Sequence, residues 1–130
     1  MLIQQREIPQ VSNDMMNMLH EDEVEIVNKF HDAVLARDID KIDEIFEELI
    51  ADVEVHFATE EAMMETADYE FTIVHKGDHD TMRKKLKDLH ERWKILKGPK
   101  EVKGFLEKDF KSWFKLHISK WDSETAPNVA

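Results

Sequence analysis

Apolar residues recur along this chain at intervals of three and four, and that spacing predicts helices over most of its length. From Asp14 to about Arg37, Met15, Leu19, Val24, Val27, Phe30 and Val34 share one face, until Asp38-Ile39-Asp40 breaks the run. A second stripe, from Asp40 to about Thr66, carries Ile42, Ile45, Phe46, Leu49, Val53, His56, Phe57, Glu60 and Met63. A third helix is predicted from about Tyr69 to Lys97, with Met82, Leu86, Leu89, Trp93 and Leu96 along its second half. Gly98 then gives a helix stop, and Pro99 suits the first turn of a fourth helix. That helix runs to about Trp121 through Val102, Phe105, Leu106, Phe110, Trp113, Phe114 and His117.

The connections are short, so neighbouring helices run antiparallel. The expected fold is all-α: an up-down-up-down antiparallel four-helix bundle with an N-terminal arm. One domain is expected over 1–130, divided into an arm at 1–12, the bundle at 13–122 and a polar tail at 123–130.

Composition narrows the function. The chain has 130 residues, enough for a real core. The absence of Cys excludes disulfides, zinc fingers and thiolate-bound clusters. Three Gly and three Pro leave little material for turns, which again favours a few long helices. A formal net charge of −11 argues against nucleic acid or an anionic membrane surface as partner. The stretch Met1–Pro9 has no apolar run suited to a signal peptide, and no window approaches the ~20 apolar residues of a membrane span. The expected location is cytoplasmic, with no membrane insertion.

Polar residues interrupt the apolar stripes in a consistent way. His75 and His79 stand one helical turn apart, as do His56 and Glu60, so each pair converges on one face. His117 follows Leu106, Phe110 and Trp113 on the inner face of the fourth helix, and His20 precedes Val24 and Val27 on the first. An ionisable group at a core position is costly unless it is paired or metal-bound. Asp122 lies five residues after His117, about 140° around a regular helix. Either the helix widens locally in a π-type turn, or Asp122 reaches sideways from a fraying end; a bridging carboxylate would come from that side.

Five imidazoles and two carboxylates between four helices can hold two metal ions. Two divalent ions against two carboxylates and one hydroxide leave only a small net charge in the core. Imidazole suits iron, copper and zinc while bridging carboxylates favour hard ions, so iron is the best compromise; these ligands do not exclude manganese or zinc.

The order of a lone His, H-x3-E, H-x3-H and H-x4-D resembles the hemerythrin family, in particular its bacterial single-domain members. Met18–Asn28 is similar to that family's first-helix block, Tyr69 stands at the family's distance before His75, and Trp113–Ile118 resembles its W-L-x-x-H-I. Glu70 and Phe114 depart from the pattern, which has Pro and Leu there. The resemblance implies that His75, His79 and His117 bind one iron and His20 and His56 the other. It further implies that Glu60 and Asp122 bridge them, beside a solvent-derived oxo or hydroxo group. The second iron then keeps an open position for O2, with NO or other small anions as alternative occupants. The function so implied is reversible O2 binding at a non-haem di-iron centre, as oxygen carrier, store or delivery protein and not as an enzyme. The alternatives are an O2 or NO sensing module and a di-iron redox or scavenging protein. The sequence names no protein partner.

Three features fall outside this pattern. His31 and His90 each stand eleven residues after a proposed ligand and return to nearly the same helix face, roughly 16 Å along the bundle. No acidic residue of suitable phase accompanies them, so they read as interfacial histidines bonded to neighbours or water. The basic run Arg83–Lys87 reads as a solvated face, and Gly77, between two proposed ligands, as an outward-facing residue.

Overall fold

Four helical rods account for most of the chain, and each begins or ends on a recognisable local device. The structure, a computed structural model, describes residues 1–129. Helix α1 spans Asp14–Leu35, and the Asn13 side chain caps it by accepting the Met16 N–H at 3.0 Å. Helix α2 spans Ile39–Thr66 and is capped in the same way by Asp38. Both helices end with a non-glycine residue in the left-handed region, Arg37 at φ 55° and Asp68 at φ 51°. The following N–H groups, of Asp38 and Tyr69, bond back to Ala33 and Met64. That is the Schellman pattern, which satisfies the terminal carbonyls.

Helix α3 spans Thr72–Leu96. It starts later than the predicted Tyr69, because Tyr69 closes the α2 cap and its carbonyl accepts from Thr72. The stop before the fourth rod also differs from expectation. Lys97 is the left-handed residue, at φ 48°, while Gly98 is extended and precedes Pro99 at the first turn.

The fourth rod alternates between helix types. Helix α4 (Pro99–Gly104) passes into a π-helical segment at Phe105–Phe110, then α5 (Lys111–His117), a second π segment at Ile118–Asp122, and α6 (Ser123–Val129). The segment expected to be a polar tail is therefore helical over 123–129, and its Thr125 and Ala126 are buried. Helix α1 packs against α2 and α4, and α2 packs against α3 and α6. The result is an all-helical four-helix bundle, and no helix among the described residues is long and apolar enough to cross a membrane.

The bundle has two unlike ends. One is apolar, filled by Phe30, Phe46, Leu49, Leu89, Trp93 and Leu106. The other gathers the buried polar residues apart from His31. The arm lies along the side, with Ile3 and Ile8 in the core and the Asn28 amide clamping both backbone groups of Ile3 at 2.8 Å. At the stripe ends the core positions fall one residue along from those predicted. Met16 and Met64, four residues from His20 and Glu60, are buried, whereas Met15 and Leu96 are exposed and Met63 is only half-buried.

Candidate metal centre

Each of the four rods sends polar side chains to the same point. His20 comes from α1, His56 and Glu60 from α2, His75 and His79 from α3, and His117 and Asp122 from the fourth rod; all seven are buried. The one-turn spacings on α2 and α3 do this without distortion. The fourth rod achieves it by widening: the Ser123 N–H bonds to the Ile118 carbonyl, an i→i+5 bond, and the π segment carries Asp122 round to the inner face beside His117. Of the two routes open to Asp122, the helix takes the first.

Five Nε2 atoms and four carboxylate oxygens meet inside this ring. Glu60 offers Oε1 to His79 (3.1 Å) and His75 (3.6 Å), and Oε2 to His56 (2.7 Å) and His20 (3.7 Å). Asp122 divides in the same sense, with Oδ1 near His75 (3.0 Å) and His117 (3.2 Å) and Oδ2 near His20 (2.8 Å). Two groups of potential ligands result, Glu60–His75–His79–His117–Asp122 and His20–His56–Glu60–Asp122, each with its ligand atoms within 4.8 Å of one another. They share both carboxylates. A carboxylate that turns one oxygen to each of two ligand sets is placed to bridge two ions.

The donor set fits cations better than it fits itself. His75 and His117 bring two Nε2 atoms to 3.1 Å, although imidazole nitrogens at such a contact need only one proton between them. Asp122 Oδ1 is buried and hydrogen-bonded to neither nearby imidazole. Metal–nitrogen bonds of about 2.1 Å place adjacent ligand atoms roughly 3 Å apart. The nitrogen pair and the orphaned oxygen have that spacing.

Outside the ring, four of the five imidazoles find partners for Nδ1. His56 donates to Glu23 (3.1 Å), His79 to Glu61 (2.8 Å) and His117 to Asp78 (2.6 Å), while His75 meets the Thr125 hydroxyl (2.8 Å). An ionised carboxylate only accepts, so three rings carry a proton on Nδ1, and Nε2 is the nitrogen each turns inward for a cation once any proton there is displaced. This is the arrangement that orients metal-binding imidazoles.

Comparison with known proteins now decides the family. Residues 11–129 match the family described as Hemerythrin HHE cation binding domain. A bacteriohemerythrin of Aquifex aeolicus (strain VF5) is 40% identical over 129 residues, which is 99% of this chain and 98% of that one. The chain belongs to the hemerythrin family. A bacteriohemerythrin of Pseudomonas aeruginosa (strain LESB58) is 32% identical over 80% of this chain and 66% of its own length. One from Methylococcus capsulatus is 29% identical over 83% and 81%. No solved structure matches the chain.

Electrostatics of the hemerythrin-type cluster follow from burial. Burial disfavours every charge here, and the crowding of opposite charges outweighs it in most places. Burial pushes His56 down, but Glu60 and Glu23 raise it well above the ordinary imidazole value. Burial likewise opposes charge on His117, which Asp122 and Asp78 nevertheless raise to about 9. Burial pushes Glu60 and Asp122 up, but the surrounding imidazoles hold both below the usual carboxylate range. His79 alone among the five lies below its ordinary value, because there burial wins. Without metal the site is thus a compensated cluster holding protons that a cation would displace.

The outer partners are the members of this cluster that sequence reasoning missed. Glu23 had a signal, standing in the apolar stripe three residues after His20; it is fully buried. Glu61 and Asp78 adjoin proposed ligands in sequence and read as ordinary solvent-facing acids. Of the remaining histidines, His31 pairs with Glu107 at 2.7 Å and His90 packs on Phe46 with ring centroids 4.7 Å apart. Both are interfacial, as expected from sequence, but Glu107 on the fourth rod gives His31 the acidic neighbour that the sequence pattern did not show. Gly77 faces outward, and a Cβ there would meet nothing within 4 Å.

Proposed function

We propose that this protein binds two iron ions and uses them for reversible O2 binding as a carrier, store or delivery protein. His75, His79 and His117 would hold one iron and His20 and His56 the other, with Glu60 and Asp122 shared between them beside a solvent-derived oxo or hydroxo group. The observation that carries this reading is the division of both carboxylates between two imidazole sets, three on one side and two on the other. When bound, a ferrous pair supplies reversible electron transfer toward O2.

The chain's own residues supply the conditions. Glu23, Glu61, Asp78 and Thr125 fix the imidazole rings, so the site needs little rearrangement to accept cations. The side with two imidazoles has fewer protein ligands and is the side where O2, NO or a small anion enters. Phe114 walls it, with its ring edge-on to His20 at 6.0 Å and stacked on Phe110 at 5.6 Å. A dry aromatic wall keeps water and its protons from the bound ligand, which favours release of O2 unchanged over irreversible oxidation. Five imidazoles against two carboxylates make a nitrogen-rich shell, suited to binding more than to oxygenation.

Anaerobic ferrous titration followed by optical spectra through repeated oxygenation cycles tests this function. Carriage predicts two ferrous ions per chain and a visible charge-transfer band that appears with O2 and vanishes on its removal. A band that never forms, or a ferric state that O2 removal does not reverse, contradicts carriage and favours sensing or scavenging.

A further inference from the structure

The sequence makes Arg83 the first residue of a solvated basic run, but the structure ties it down. Its guanidinium donates to both oxygens of Glu61 (2.7 and 3.1 Å), to both of Glu54 (3.0 and 3.2 Å) and to Asp80 (2.9 Å). The fork on Glu61 matters most, because Glu61 Oε2 also accepts the His79 Nδ1 proton. The guanidinium carbon lies 5.1 Å from the centroid of Phe57, whose ring stacks on His79 at 4.1 Å with only 3° between planes. Arg83 therefore contacts both of the groups that fix the His79 ring.

No other outer partner has this support. Glu23, which accepts from His56, is fully buried, and Asp78, which accepts from His117, is partly exposed. Among the described residues neither is paired with Lys or Arg. A carboxylate that accepts an imidazole proton strengthens that imidazole as a metal donor. A permanently charged guanidinium sharing the same carboxylate draws that density away.

We propose that Arg83 is a positioning residue for His79: acting through Glu61, it makes this imidazole a weaker donor than its neighbours and biases the iron pair toward the ferrous state. The inference rests on the iron reading above.

A double-mutant cycle between Arg83→Gln and Glu61→Gln tests it. It is read by the midpoint potential of the iron-loaded protein and, separately, by thermal unfolding of the iron-free protein. Arg83→Gln is expected to shift the ferric/ferrous balance about tenfold toward ferric, ~59 mV for a one-electron couple. Glu61→Gln shifts it the other way, and adding Arg83→Gln to Glu61→Gln changes the potential no further. Arg83→Lys, which keeps the charge but loses the fork, recovers part of the shift. A lowered melting temperature with unchanged potential makes Arg83 merely structural and overturns the proposal. An equal shift with and without Glu61 overturns the relay, since charge alone would then be acting. A wild-type protein that takes two ferrous ions while Arg83→Gln leaves the potential unmoved refutes only this inference. One that takes none refutes the iron reading and this inference with it.

Discussion

His20 and His79 have counterparts eleven residues further along the same helices, on nearly the same faces, yet only the first two join a metal-capable cluster. At the polar end, five buried imidazoles share two buried carboxylates, and further acids stand behind the rings. At the apolar end, His31 has one partner, Glu107, whose side chain is 35% exposed. His90 lies against Phe46, 3.9 Å from a Glu47 carboxylate that is 73% exposed. Burial pushes His90 below its ordinary value, and its ring packs against an aromatic neighbour. Residue type and helical phase are alike at the two ends. What separates them is a second layer of acids, Glu23 fully buried and Glu61 and Asp78 partly so, that compensates charge and orients the rings.

Glu60→Ala removes a carboxylate that both ligand sets use, so both ions are lost together, as a metal titration of the variant will show. The iron-free variant also leaves buried imidazolium without its partner, and chemical denaturation is expected to register a loss of about 3 kcal/mol or more. Metal affinity should depend steeply on pH. His20, His56, His75 and His117 are raised in the iron-free fold and must release protons to bind a cation. Competition titrations should therefore show affinity climbing about tenfold per pH unit for each proton displaced, up to about pH 9 for His117.

The iron-free fold itself should respond in the opposite sense on its alkaline side. A folded pKa of about 9 against the ordinary 6.5 means that the fold holds a proton the unfolded chain has released. That stabilisation is complete below pH 6.5 and disappears as pH rises through 9. Glu60 and Asp122, lowered in the fold, act oppositely: their contribution is present above the ordinary carboxylate range and is lost as acid protonates them. Denaturation curves at pH 6.5 and 9.5 are expected to show the iron-free protein weaker at the higher pH.

Replacing an outer partner has a smaller effect. Glu23→Gln is expected to weaken metal binding by roughly 10–100-fold while leaving the stoichiometry intact, measured by competition with a chelator. His31→Leu, at the other end, should leave metal binding unchanged and alter stability by about 1 kcal/mol at most, because its single partner, Glu107, is partly exposed. A drop in metal affinity in His31→Leu would erase the distinction between the two ends.

Much of this architecture was legible in the chain. Helical periodicity located the rods, and one-turn spacing put His56 with Glu60 and His75 with His79 before any coordinates. Asp122 was only half legible: a gap of five residues allowed two geometries, and choosing between them required the i→i+5 bond at Ser123. The same widening hid Thr125, because Ser123–Val129 reads as polar, with Pro127 inside it, yet the π segment turns Thr125 toward His75. Lys97 escaped notice because a lysine in the left-handed region gives no signal beside a neighbouring glycine. Arg83 was misread because its partners Glu54 and Glu61 come from another helix. Local pattern cannot see a contact of that kind.

The central claim is that one cluster holds two ions across shared carboxylates, and iron-edge anomalous diffraction from crystals of the iron-loaded protein tests it most directly. The account predicts two peaks roughly 3–4 Å apart, one beside His75, His79 and His117 and one beside His20 and His56, with Glu60 and Asp122 touching both. A single peak, or two peaks with no carboxylate in common, would contradict it.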